Sequence, residues 1–579
     1  MRITLVSIFI ILSIHSFAQN KLMLPQIDTI GLEYRSGGAD LDSIDAINIG
    51  NLTLRPAAGF SQVYEYNLAQ NLYQSPAGFA YLMNEKKVKP KYIGIPYLGF
   101  QYAFGSALNQ ALNLDYHQYF RPQTHLHFRY HRRTSNGLLR NGDFKLNDVS
   151  LEFYHTKKRW STKLVAYYGG YEYGENTGIE TDSLLTDFPI EFTPVLRNNA
   201  QSTIRKLNVE WDNYYRLLGD SINGIGIKSQ QRFDLNGRVF NNPNFEDTLV
   251  ENVYIDTLNT RDQYQTSSVS NGAGVYFSTN SFQLDATLNH RYWRNQNLGK
   301  YRDTNEVFLQ SLLWTKWRGI SIENDFYFNL LGALGEFYNH TKLSLKPFSK
   351  TQVFGRLNFD NRYPMPYQRF HNANHVQWEL DELQTQQILN VSGGIRYGDT
   401  NFVQANVNWT NINNGLYFIN NEWRQDTLDF VSVGTVEVRG SLKLGKFGFY
   451  PSVRLGINTD NFSYQPIFST MNRLSFQSKL FEAQRLGIAL GVDVGYVTGY
   501  QFMQYNTLLS VVQPVQTNEK TPNLMRLNAF FALSIDEFRF FVRGEHLDYF
   551  INDQTARIDT NYPIMPFILR IGITWDFFN

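Results

Sequence analysis

Met565-Pro566-Phe567-Ile568-Leu569-Arg570-Ile571-Gly572-Ile573-Thr574-Trp575-Asp576-Phe577-Phe578-Asn579 closes the sequence, and its parity decides the fold class. Phe567, Leu569, Ile571, Ile573, Trp575 and Phe577 share one parity; Arg570, Gly572, Thr574 and Asp576 share the other. Side chains alternate faces along a strand, so this segment is a strand with one apolar and one polar side. Globular strands usually run roughly 5–6 residues. A longer one with an aromatic-rich face suits a bilayer, which a tilted strand crosses in ~9–11 residues.

The same alternation recurs upstream. Leu126, Phe128 and Tyr130 oppose His127, Arg129 and His131, and Val149, Leu151 and Phe153 oppose Asp148, Ser150 and Glu152. Val403 to Trp409 repeats the pattern, as does Leu486 to Tyr496, where glycine and alanine occupy the polar parity and imply a crowded interior. Short polar turns are predicted at Arg121-Pro122-Gln123, Lys157-Lys158-Arg159, Gly219-Asp220-Ser221, Thr279-Asn280 and Lys316-Trp317. Others fall at Pro347-Phe348-Ser349, Asp399-Thr400, Gly445-Lys446, Asp536-Glu537 and near Glu482. Between most of them lie longer polar loops, including 171–200, 241–262 and 361–383. Short turns at one end and long loops at the other are how outer-membrane barrels are built. The expected fold is therefore all-β: a transmembrane antiparallel barrel of about 18–22 strands over 96–579, with periplasmic turns and extracellular loops. The turn count favours the upper figure.

Composition agrees. Mean hydropathy is low at −0.36, yet aromatic residues make up 15% of the chain. Lipid-facing apolar and lumen-facing polar positions average to a hydrophilic mean, and interfacial girdles consume Tyr and Trp. Met1-Arg2, the apolar run Ile3–Ile14 and Ser16-Phe17-Ala18 read as a signal peptide over 1–18, and export to a Gram-negative outer membrane is expected. The run is too short for a spanning helix, which takes roughly 20 residues. With no cysteine at the expected cut, a lipoprotein anchor is excluded. A net charge of +1 leaves no basic footprint for nucleic acid. Residues 19–95 lack the alternation and read as a periplasmic extension or small plug.

These features resemble the putative porin family of the Bacteroidetes. The resemblance rests on Ser16-Phe17-Ala18-Gln19, Gly174-Glu175-Asn176-Thr177-Gly178-Ile179, Asn372-Ala373-Asn374-His375-Val376-Gln377-Trp378 and Gly572-Ile573-Thr574-Trp575-Asp576-Phe577. It implies a barrel with a pore and supplies neither solute nor catalytic residues. One departure is the end: the common outer-membrane signal finishes on an aromatic residue, and this chain finishes on Asn579.

His125, His127, Arg129, His131 and Arg133 share one parity of a single strand and are the expected pore-lining residues. Such a ladder attracts anions, increasingly so as histidines charge near a usual pKa of about 6.5. Asp148 and Glu152 on the next strand are placed to neutralise it. His125 and His127 alone fall short of the three or four ligands a metal site takes, so no metal or other cofactor is expected. Asp-Ser/Thr-Leu/Ile triplets at Asp28, Asp42, Asp182, Asp220, Asp247, Asp256 and Asp426 resemble a glycosylation acceptor but equally suit turn chemistry. Gly-x-Ser-x-Gly, His-Glu-x-x-His and Gly-rich phosphate loops are missing, and no enzymatic activity is expected. The expected function is passive diffusion of small hydrophilic solutes; the alternative is a plugged or structural barrel serving an envelope or secretion partner. Expected partners are outer-membrane lipids, the barrel-assembly machinery, the solutes themselves and further copies of the chain.

Overall fold

The computed structural model describes residues 96–578, apart from 122, 138, 182, 221–222, 244–251, 420–421, 427–430, 459–465, 483–484, 515–518 and 560. The expected signal peptide (1–18) and N-terminal extension (19–95) lie outside the described residues. The described chain folds into a main sheet of 22 strands, the top of the expected range, with four two-stranded hairpins in its loops. Every strand pairs antiparallel with its neighbour in sequence. The sheet closes where β1 (Tyr97–Gly105) pairs with the last strand, Ile568–Phe578, in the register Tyr97↔Phe578 to Gly105↔Arg570. Closure removes both sheet edges, which a bilayer core would leave without hydrogen-bond partners. Among the described residues no helix is long and apolar enough to cross a membrane.

All ten predicted turns lie at junctions between consecutive strands, within two residues of a strand end. Lys316-Trp317 was placed slightly early: the strand runs to Trp317, and Arg318 and Gly319 make the turn with φ of 43° and 86°. Two successive positive φ values match the right-handed twist of the flanking strands. Parity also holds. In the last strand Leu569, Trp575 and Phe577 are exposed on the outside, while Arg570, Gly572 and Thr574 face inward and are buried. Outward Leu490, Val492 and Val494 repeat this on Leu486–Val497, whose interior is crowded as expected. A Cβ on Gly491 would lie 2.3 Å from the Phe530 ring across the strand pair.

Strand length departs from the simple picture. After β2 (Asn109–Arg121), β3 (Thr124–Ser135), β4 (Phe144–Lys157) and β5 (Trp160–Gly174), strands β6 (Gln201–Gly219), β7 (Gly224–Asn242) and β8 (Thr260–Ser278) each have 19 residues. β9 (Phe282–Asn297) and β10 (Lys300–Trp317) have 16 and 18. Lys300 to Glu306 pair only with β9, because β11 (Ile320–Leu331) reaches no further than Val307. This sector of wall therefore stands above its neighbour at the long-loop end. The loops fold against its inner face.

Candidate functional site: the barrel interior and its loop cap

Alternation puts one polar row per strand into the interior, and adjacent rows carry opposite charges. Lys163 on β5 donates to Glu210 on β6 at 3.2 Å, and Lys228 on β7 reaches past β8 to Asp285 on β9 at 2.9 Å. Elsewhere round the ring Arg473 binds Asp493 at 2.6 Å, and fully buried Arg570 grips Glu545 through two bonds of 3.1 Å. A buried charge is tolerated only when paired and hydrogen-bonded, and these pairs meet that condition.

The five predicted pore-lining residues lie on β3 along its inward parity, with Leu126, Phe128 and Tyr130 on the other. Arg129 reaches Glu152 at 3.3 Å, the neutralising contact that the sequence suggested. Asp148 sits opposite His131 and accepts from Tyr167 at 2.8 Å. Sequence reading missed the other side of the ladder. The β2–β3 hairpin register sets His117 opposite His127 and Asp115 opposite Arg129. His127 Nε2 lies 2.6 Å and His117 Nε2 3.1 Å from the same Asp115 Oδ1. The His117 and His127 rings stack with centroids 3.9 Å apart. An Asp-x-His on one arm of a hairpin and a His-x-His on the other is the signal that would have found this group.

At the long-loop end, the connection between the nineteenth strand (Leu486–Val497) and the twentieth (Leu524–Ile535) forms a hairpin, Met503–Asn506 with Val511–Pro514. Its tip, Thr507 to Ser510, is buried. The tip is held by β5–β7 and the loop between β5 and β6, seven to nine places round the 22-strand ring from the twentieth strand. Arg238 on β7 donates to Leu508 O at 2.5 Å, Tyr173 on β5 meets Ser510 Oγ at 3.0 Å, and Arg197 bonds Thr507. The hairpin thus crosses the mouth. Glu175, just past β5, ties the junction together. It takes bonds from Ser202 at 2.6 Å, Tyr505 at 3.1 Å and Arg238 at 3.2 Å. Complete burial holds its carboxyl above the usual range, and the Arg238 charge opposes that rise.

Leu508, Leu509 and Val511 then pack with Phe240, Tyr367, Phe418 and Trp423 into an apolar cluster drawn from three loops and the β7 wall. The segment 372–378 anchors another loop. Asn374 Oδ1 accepts from Ile255 N and Asp256 N, each at 2.9 Å, while His375 meets Thr260 at 2.6 Å and Asn252 O at 2.8 Å. Two of the segments that carry the family resemblance are therefore fastenings of this cap. The triplet aspartates whose surroundings are described make turns. Asp220 accepts from Asn223 N at 2.6 Å, and Asp256 from Leu258 N at 2.8 Å.

A closed 22-strand ring with an apolar outside and a charged inside defines an outer-membrane-type β-barrel. The chain belongs to the family described as "Putative porin", whose model matches residues 12–579. No curated protein matches the sequence. Solved structures share the fold at low identity. The FrpB iron transporter of Neisseria meningitidis (F5-1 variant, apoprotein form) is 12% identical with a TM-score of 0.57, over 83% of this chain and 81% of that one. The copper transporter OprC is 10% identical with a TM-score of 0.59, over 83% and 80%. The siderophore receptor PirA of Acinetobacter baumannii is 11% identical with a TM-score of 0.56, over 83% and 80%. The fold and family support outer-membrane transport.

Proposed function

We propose that this protein is an outer-membrane pore for passive diffusion of small hydrophilic solutes, narrowed at its long-loop mouth by the 503–514 hairpin. The observation that carries the reading is the interior: charged and amide side chains in strand after strand, with acids and bases interleaved. Such a surface holds water and passes polar solutes, while paired charges moderate the preference for either ion sign. On this reading the chain is exported through cleavage after Ala18 and inserted by the barrel-assembly machinery, with its termini and short turns on the periplasmic side. It performs no catalysis.

A second reading is a barrel whose mouth stays shut until an envelope partner or a specific cargo engages the loops. The buried Glu175–Arg238 junction favours it, since ion pairs of this kind hold a segment in one place. The fold neighbours named as iron, copper and siderophore proteins lend it a cargo class. Liposome swelling separates the two readings. Proteoliposomes diluted into isosmotic sugars of increasing size should swell at rates that fall with solute size. Swelling no faster than protein-free liposomes for every solute favours the shut barrel.

A further inference from the structure

We propose that Asp115, His117 and His127 form a binding site for a divalent transition-metal ion inside the barrel, at the short-turn end of the β2–β3 hairpin. Their ligand atoms all lie within 4.8 Å of one another. Two imidazoles present Nε2 to one carboxylate oxygen, at 3.1 and 2.6 Å. An ion with metal–ligand distances of about 2.0–2.2 Å fits among three such donors once the Asp115 carboxylate swings outward.

The surroundings are those of a metal site. Both imidazoles are almost fully buried, while the Asp115 side chain is 43% exposed and opens an entry path from the lumen. Behind His127, Glu152 lies 3.8 Å from Nδ1 and is itself held by Arg129 at 3.3 Å and Tyr154 at 3.1 Å. A carboxylate behind a ligating imidazole fixes its tautomer and raises its basicity. His125 Nε2 stands 3.4 Å from His117 Nδ1 and plays the corresponding part for the second ligand. The Nδ1 atom of His125 is buried and has no hydrogen-bond partner among the described residues. The cluster therefore carries more donor capacity than its own contacts use. Backbone pairing places the ligands without side-chain luck: His117 and His127 are direct cross-strand partners, and Asp115 sits two residues along on the same face.

Two nitrogens and one carboxylate oxygen form a set that suits Zn2+, Cu2+ or Ni2+ better than Ca2+ or Mg2+, which take all-oxygen shells. Three protein ligands leave a fourth position for water or a passing group, so the ion is exchangeable.

The test is titration of Zn2+ into the full-length protein, refolded in detergent without a polyhistidine tag and stripped with chelator. Isothermal calorimetry should give one saturable site per barrel, and Co2+ bound in competition should show the visible spectrum of a tetrahedral centre. His117→Gln with His127→Gln, which keeps polar side chains on the wall, should abolish the site, and Glu152→Gln should weaken it about 10-fold or more. His290→Gln, on β9, should leave it unchanged. A shift in gel migration between the unboiled and the boiled protein shows that each variant still folds. Wild-type protein with no saturable Zn2+ site overturns the proposal, as does equal affinity in the double variant. Neither result depends on whether the barrel conducts.

Discussion

Arg238→Met should release the hairpin that crosses the barrel mouth. In the wild type the guanidinium contacts Glu175 at 3.2 Å, Ser202 at 2.8 Å and Leu508 O at 2.5 Å, and the Glu175 side chain is 0% exposed. Removing one member of a buried pair costs about 3–5 kcal/mol. Ser202 and Tyr505 still donate to Glu175, and its raised pKa lets the stranded carboxyl take up a proton, so the lower end applies. About 3 kcal/mol corresponds to roughly a 10²-fold rise in the undocked population. The chain has no cysteine, so Ser510→Cys gives a single thiol at a tip residue that is 0% exposed. In detergent micelles, where both ends of the barrel are accessible, modification of that thiol by a water-soluble maleimide, normalised to Ser349→Cys on an exposed short turn, should accelerate by about two orders of magnitude when Met replaces Arg238. Rates within twofold of each other would refute the anchoring role of Arg238.

Further outcomes follow from the same geometry. Ile571 faces outward between Phe104 and Val542, so Ile571→Arg should cost roughly 2–4 kcal/mol in urea-dependent refolding into bilayers. Thr574→Ser, on the inward parity, should cost less than about 1 kcal/mol, and equal costs would mean the two faces are misassigned. His371 lies in the loop cap, where burial and then the Arg238 charge hold its pKa down at about 3. Its folded pKa is below the unfolded value of about 6.5, so the stability it contributes is complete above pH 6.5 and is lost as pH falls toward 3. Normalised labelling of the thiol in the Ser510→Cys variant should therefore rise on acidification below pH 6.5. His371→Phe, which keeps the stack on Trp378, should flatten that rise, and an unaltered profile would exclude His371. Arg129→Ser with Arg133→Ser should move the reversal potential under a salt gradient toward cations, because Glu152 loses its 3.3 Å partner; an unmoved potential would remove the ladder from the selectivity path.

Strand number and turn position were legible in the sequence because each depends on local chemistry: period-two alternation and a few residues that tolerate tight reversal. The extra height of β6–β10 was hidden for a physical reason. Above the bilayer the inner face packs against loops instead of water, so Phe240 and Tyr173 point inward and break the polar parity. The cap was visible only as unexplained segments, since Glu175 and Asn374 act on partners hundreds of residues away or on other loops. Half of the His cluster was read from β3. Asp115 and His117 escaped because finding them requires the hairpin register as well as the parity.

The central claim is a water-filled path through the barrel, and single-channel recording in a planar bilayer tests it most directly. Protein that migrates as a folded barrel before boiling should insert and give discrete current steps in potassium chloride, with larger steps for Arg238→Met than for the wild type. Folded, inserted protein that carries no current, with Arg238→Met equally silent, would contradict the account.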